Sequence, residues 1–327
     1  MRAAPFALAL ALLAAPLAAY SQQPGTSYRI GYLGTNPPTT PDGMRSREAL
    51  RQGLGELGWV EGKNIIIEWR YSAGRDQRLR ELAAELVRLK VDVIVALASP
   101  ATHAAKQATT MIPIVGIGLA DPVRQGLAVN LARPGGNVTG LANLYPELAA
   151  KWVELLREAL PGVSRVAVLW NAVNPGNALQ MEATQVAARA LGLRLQSVEV
   201  RGPDDFPGAF SAMTRARPEA LLILADPLIG AYRTQIVAFT ARSRLPAMDP
   251  FREFVEAGGL MAYSVDVPDM FRRAATYVDR ILRGAKPADL PIEQPTKFEF
   301  AINIKTAQAL GLAIPQSLLL RADRVVE

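Results

Sequence analysis

Five pairs of a short polar residue followed by proline recur along the chain: Ser99-Pro100, Asp121-Pro122, Asn174-Pro175, Asp226-Pro227 and Asp249-Pro250. This is the pattern of a helix start. The side-chain oxygen accepts from the first free backbone N–H groups, and proline, with no N–H to lose, sits at the first helical position. Free N–H groups at such a start attract an anion such as a carboxylate. Ser99 leaves its start uncharged and suited to a carboxylate, whereas Asp121, Asp226 and Asp266 would draw an ammonium group. Together they suit a zwitterion of the amino-acid kind, and Tyr263, Tyr32 or Trp170 could stack on a planar side chain. Taken singly, each pair is explained by ordinary capping and each aromatic ring by core packing. Binding requires that several of these ends converge.

Residues for covalent or metal chemistry are sparse. There is no cysteine and a single histidine, His103, which falls in a helix-like stretch after Pro100. The usual zinc ligand sets are therefore out of reach. No G-x-S-x-G, phosphate-loop or strand-anchored G-x-G-x-x-G pattern is present. Gly53-x-Gly55 lies inside a helical pattern, and Gly116-x-Gly118 ends a strand without the rest of the fingerprint. We expect no enzyme, no cofactor and no metal.

The elements that must position the polar ends alternate. Apolar runs at Arg29–Leu33, Asn64–Trp69, Val91–Leu97, Ile114–Ile117 and Val138–Leu141 read as buried strands. Between them lie helical patterns over about 44–57, from Asp76 with Leu79, Leu82, Ala83 and Leu86 on one face, and over about 100–109. Strand–helix alternation implies a parallel sheet flanked by helices. The grammar then repeats. Tyr28–Leu33 is matched by Ser164–Leu169, Val93–Pro100 by Leu221–Pro227, Ile112–Val115 by Leu245–Met248, and Gly135-Gly136 by Gly258-Gly259. Two similar lobes facing one another enclose a cleft. Helices over Glu147–Leu160 and about Met270–Leu282 should carry the chain between lobes, the second packing back on the first lobe. Lys297–Asn303 is strand-like, and a short helix at Thr306–Leu310 ends at Gly311.

Hence the expected fold is α/β: two Rossmann-like lobes with parallel sheets flanked by helices, joined by three hinge crossovers near 142–146, 263–268 and 284–296. Lobe 1 comprises 28–145 plus about 266–284, and lobe 2 comprises 146–264 plus about 296–327. Ligands of open parallel sheets bind beyond the carboxyl ends of the strands. That rule selects Asn36, Ser99, Thr102 and Asp121 in lobe 1, and Asn171, Asn174 and Asp226 in lobe 2. At the crossovers it selects Asn143, Tyr263 and Asp266.

With 327 residues, half of them hydrophobic, the chain can bury two ordinary cores. The formal charge of +6 is spread among acids without a basic, aromatic-interleaved run, so no nucleic-acid partner is expected. Arg2, an apolar run from Phe6 to Leu17 and small residues through Ser21 have the layout of a secretory signal peptide spanning 1–21. The run is too short for a membrane span, which needs about 20 apolar residues. A lipid-anchoring cysteine is absent, so a free periplasmic protein is expected.

Specific motifs are spread along the length. They include Gly53-Leu54-Gly55-Glu56-Leu57-Gly58-Trp59-Val60-Glu61-Gly62-Lys63-Asn64, Leu131-Ala132-Arg133-Pro134-Gly135-Gly136-Asn137-Val138-Thr139-Gly140, and the stretch from Gly284 through Pro291 to Pro295-Thr296-Lys297-Phe298-Glu299-Phe300. Through these the mature chain resembles the ABC transporter substrate-binding proteins of tryptophan/tyrosine type. That resemblance implies the type I periplasmic binding protein fold and delivery of a small-molecule ligand to an ABC permease in the inner membrane, by a monomer. The same clamp would also serve a ligand sensor for a membrane receptor, and less readily an enzyme on the same fold.

Overall fold

In the computed structural model, which describes residues 27–327, the chain alternates strands and helices from its first element onward. The signal peptide expected over 1–21 lies outside the described residues. The first lobe begins β1 (Tyr28–Gly34), α1 (Pro41–Glu56), β2 (Ile65–Tyr71), α2 (Leu79–Arg88), β3 (Val93–Leu97), α3 (Ala98–Ala108), β4 (Ile114–Leu119) and β5 (Val138–Ala142). The second follows with α4 (Tyr145–Ala159), β6 (Arg165–Asn171), α5 (Pro175–Ala190), β7 (Arg194–Val200), α6 (Phe206–Ala216), β8 (Ala220–Ile223), α7 (Pro227–Ala231), α8 (Arg233–Arg242), β9 (Ala247–Asp249), α9 (Arg252–Glu256) and β10 (Met261–Val265). The chain ends with α10 (Val267–Leu282), β11 (Phe298–Asn303), α11 (Ile304–Leu310), α12 (Gln316–Leu319) and β12 (Arg324–Val326).

One sheet has the order β2-β1-β3-β4-β5, the other β12-β11-β10-β9-β8-β6-β7. The duplication is thus a strand-for-strand match: β1 to β5 and β6 to β10 take the same places in their sheets. All pairings are parallel except β10 with β11, which run antiparallel from Met261↔Ile302 to Val265↔Phe298. The central strands β3 and β8 are almost wholly buried, as runs such as Val93-Ile94-Val95-Ala96 require when helices cover both faces.

Helix α10 packs against α1, β3, β4 and β5. Its buried face is Phe271, Ala274, Ala275, Val278 and Ile281. This apolar stripe recurs every three or four residues. Burying Phe271 and Val278 contributes roughly 1.5–3 kcal/mol each. Trp152 on α4 is fully buried and its indole N–H donates to the Tyr263 carbonyl at 2.9 Å. That bond ties α4 to β10 at the lobe junction.

The chain passes between the sheets three times: at 143–144, at 265–267 and at 294–297. The third passage is shorter than the expected 284–296, because Ile292 and Glu293 run beside the first sheet. There Glu293 N donates to Gly140 O at 3.0 Å and Ala142 N to Glu293 O at 2.8 Å.

Several helix starts differ from expectation, each for a local reason. α1 begins at Pro41 rather than near Met44, because Thr40 Oγ1 accepts from Gly43 N at 3.1 Å with proline at the first position. α3 begins at Ala98, so Ser99 is inside its first turn and makes no capping bond. Asp121 starts no helix: it has a φ of +40° and closes a turn by accepting from Arg124 N at 3.0 Å. Asp249 likewise accepts from Phe251 N at 2.7 Å, and α9 starts only at Arg252.

Candidate functional site

The carboxyl ends of the two sheets face one another across a cleft of about 910 Å³, counting its open mouth. One wall comes from the first lobe: Asn36 after β1, Asp42 and Arg45 on α1, Leu97 to Ser99 at the start of α3, and Ile117, Gly118 and Ala120 at the end of β4. The opposite wall carries Asn174, Gly176 and Gln180 of α5, Ala225 to Pro227 at the start of α7, Arg233 of α8, and Phe251 and Glu253 near α9. Asn143, Tyr145, Val267 and Phe271, at or beside the first two crossovers, form the floor.

Two of the five polar–proline pairs are helix caps at this cleft. Asn174 Oδ1 accepts from Gly176 N at 2.8 Å. Asp226 Oδ1 accepts from Leu228 N at 2.8 Å and Ile229 N at 3.1 Å. The second Asp226 oxygen is also occupied, by Asn174 Nδ2 at 2.8 Å and Asn171 Nδ2 at 3.1 Å. Four donors therefore hold one buried carboxylate. Burial pushes its pKa up, and the Asn174, Ile229, Asn171 and Leu228 hydrogen bonds pull against that. Below it, Asn177 Nδ2 donates to Ala225 O at 2.7 Å, and Gln180 exchanges two bonds with the Ala225 backbone at 3.0 and 3.2 Å. Asn174, Asn177 and Gln180 recur every three residues and so face one side of α5. They lock α5 to the end of β8.

From the first lobe, Asp76 approaches this network. It accepts from Ser72 Oγ at 3.3 Å and interacts with Asp226 across the lobes. Burial, then the neighbouring Asp226 charge, pushes its pKa up to about 6. Asp249 is buried too, and its pKa is pushed up to about 7 by burial, with Arg233 opposing.

Of the ten sequence-selected residues, Asn36, Ser99, Asn143, Asn174 and Asp226 line the cleft. Asn171 sits behind them, bound to Asp226. The others do not reach the wall. Thr102 is buried and donates to Ala98 O at 2.9 Å, an internal helix bond. Asp121 is used in its turn. Tyr263 stacks on Phe298 with ring centres 5.9 Å apart. Asp266 caps α10 by accepting from Asp269 N at 2.9 Å. Among the expected stacking rings, Tyr32 is buried against Trp69 and Tyr71, and Trp170 donates to Ser197 Oγ at 2.8 Å. The aromatic surface comes instead from Tyr145, Phe251 and Phe271.

Missed from the sequence were Asp42, Arg45, Gln180, Arg233 and Glu253. Thr40-Pro41 has the same capping form as the five pairs and would have pointed to Asp42. Nothing local marks Arg233.

The lobes touch across the cleft. Gly176 lies so near the first lobe that a Cβ there would sit 3.0 Å from Ala120 Cβ and 3.2 Å from Ser99 Oγ. Ser99 Oγ is buried at this contact with no hydrogen-bond partner. No helix among the described residues is long and apolar enough to cross a membrane.

Comparisons with known proteins agree with this architecture. The chain is 28% identical to a conserved domain protein from Vibrio cholerae, with a TM-score of 0.85 over 92% of this chain and 100% of that one. It is 27% identical, with a TM-score of 0.84 and the same coverage, to an ABC domain crystallised with L-Trp from Streptococcus pneumonia. A tyrosine-binding protein of Clostridioides difficile is 23% identical over 268 residues, which is 82% of this chain and 77% of that protein. The lobes and their order are those of the type I periplasmic binding proteins. Residues 40–326 match the family model described as ABC transporter substrate binding protein, and the chain belongs to that family.

Proposed function

We propose that this chain is the exported solute-binding component of an ABC importer, free in the periplasm, that closes its lobes on an amino-acid-like ligand. The supporting observation is the cleft: strand ends from both lobes meet around Tyr145, Phe251 and Phe271, with Ser99 on one wall and Asp226 on the other. The aromatic floor suits a planar side chain. Ser99 and the first turn of α3 suit its carboxylate. Asp226, its oxygens already taken by four donors, favours the ammonium end by its charge alone, with Asn36 and Asn143 beside it. Similarity to an ABC domain crystallised with L-Trp and to a tyrosine-binding protein favours an aromatic amino acid.

Two bodies, 28–145 with about 266–284 and 146–264 with about 296–327, rotate about the crossovers. Ligand bound to both walls shifts the population toward closure, and the closed monomer docks on the permease. Cleavage after Ser21 leaves Gln22 first. The ligand leaves unchanged, so no turnover is expected.

A thermal-shift screen of the mature protein against the amino acids, nucleobases and aromatic acids tests this. A ligand at about 100 times its dissociation constant adds about 2.7 kcal/mol. Shifts confined to amino acids support the proposal, and shifts only with uncharged compounds reject the ligand class.

A further inference from the structure

At the cleft mouth α1 of the first lobe meets α8 of the second. Arg233 Nη1 donates to Asp42 Oδ1 at 3.0 Å and Nη2 to Oδ2 at 2.9 Å, a two-pronged pair between residues 191 positions apart. The side chains are 13% and 22% exposed, so the pair lies largely out of water. Gly230 permits the approach: a Cβ there would stand 3.3 Å from Asp42 Oδ2.

Besides Arg45–Glu253, two ion pairs cross the lobes among the described residues, Arg75–Asp204 and Arg124–Glu182. Their side chains are more than half exposed, and pairs in that setting contribute little. A forked guanidinium–carboxylate pair, shielded from solvent, is the stronger and more directional contact.

Neither half is stranded when the lobes part. Asp42 keeps Arg45 of its own helix, and Arg233 keeps the charges of Asp249 and Glu253 in its own lobe. Arg45 also reaches Glu253 across the cleft at 3.9 Å. The contact is thus built to be made and broken without leaving a buried charge alone in either state.

We propose that Asp42 and Arg233 form a ligand-independent clasp that positions the two lobes, so that the empty protein already populates the closed form. The clasp deepens the proposed closing motion by adding a contact that needs no ligand. A chain with a larger closed fraction before binding has a higher apparent affinity, in proportion to that fraction.

The test uses no ligand. Because the chain has no cysteine, Val129→Cys and Val186→Cys on exposed positions of opposite lobes accept one spin label each. After dialysis through urea to strip any carried ligand, pulsed electron resonance reads the distance between labels. The labelled parent should show a major population at the distance of the closed structure. Asp42→Asn should move most of it to longer distances, and Arg233→Lys, which keeps the charge but loses the fork, should lie between. Combined, the two substitutions should open the protein no further than Asp42→Asn alone. A parent already wholly at the long distance, or an Asp42→Asn distribution unchanged from the parent, overturns the clasp. Neither result bears on the amino-acid screen, so the two readings fail separately.

Discussion

Asp226→Asn is the sharpest probe of the lobe-2 wall, because it changes one atom in a fully satisfied network. The aspartate accepts four bonds, two from backbone N–H groups and two from Asn171 and Asn174. An asparagine can keep the backbone pair on its remaining oxygen. Its new NH₂ then faces two donors, Asn171 Nδ2 and Asn174 Nδ2. Rotating those amides does not help, since Asn171 Oδ1 accepts from Val173 N at 3.1 Å and Asn174 Oδ1 from Gly176 N at 2.8 Å. Two buried donors are left unpaired at about 1–3 kcal/mol each, so stability should fall by about 2–6 kcal/mol. Against this, removing a buried carboxylate relieves some desolvation, which places the expected loss toward the lower end. Urea unfolding of the ligand-free protein, followed by the fluorescence of its four tryptophans, reads the loss as a lowered midpoint with an unchanged slope. A change under about 0.5 kcal/mol, the size of an ordinary surface substitution, would refute the assignment of Asp226 as a saturated structural anchor.

Three further outcomes follow from the cleft. Ser99→Ala removes a buried hydroxyl that has no partner, so the ligand-free protein should be as stable or up to about 1 kcal/mol more stable. Its affinity for the best ligand of the screen should still fall at least several-fold by calorimetry. Gly176→Leu should weaken binding at least tenfold, about 1.4 kcal/mol, because the side chain would run into Ala120 and Ser99 of the other lobe, and it should also lower the ligand-free melting temperature, since the new Cβ crowds the cap oxygen of Asn174 at 3.1 Å. Asp76 and Asp249 have pKa values pushed up to about 6 and about 7, so the folded protein holds protons that the unfolded chain has released. Stability therefore falls as pH rises from about 4.5 to 7, the sign for more protons bound in the native state. Asp76→Asn should flatten the lower part of that fall, measured as melting temperature at pH 5, 6 and 7, and an unchanged profile would remove Asp76 as a source.

Much of the architecture is written in short-range patterns. Continuous apolar runs predict β1, β3, β6 and β8 because strands covered on both faces need no polar side. The i, i+3, i+4 stripe of Leu79, Leu82, Ala83 and Leu86 predicts α2, and all four residues are buried. Asn174 and Asp226 are legible as caps because capping joins residues two or three positions apart. The same rule misplaces Ser99 and Asp121. A residue–proline pair does not reveal whether the backbone before it is extended, and Asp121 takes a left-handed conformation that suits a turn instead.

Tertiary structure alone decided which polar ends share a wall. Thr102 and Asn143 look equally available in the sequence, yet one is turned into its own helix and the other lines the cleft. Asp42 meets Arg233 across 191 residues, and Ser99 meets Gly176, only because two sheets joined by three crossovers turn their strand ends toward one another. Capping, periodicity and strand burial act over a few residues, so the sequence determines each lobe's elements and their internal order. The closeness of the facing walls depends on the relative placement of two bodies, and no local pattern encodes that.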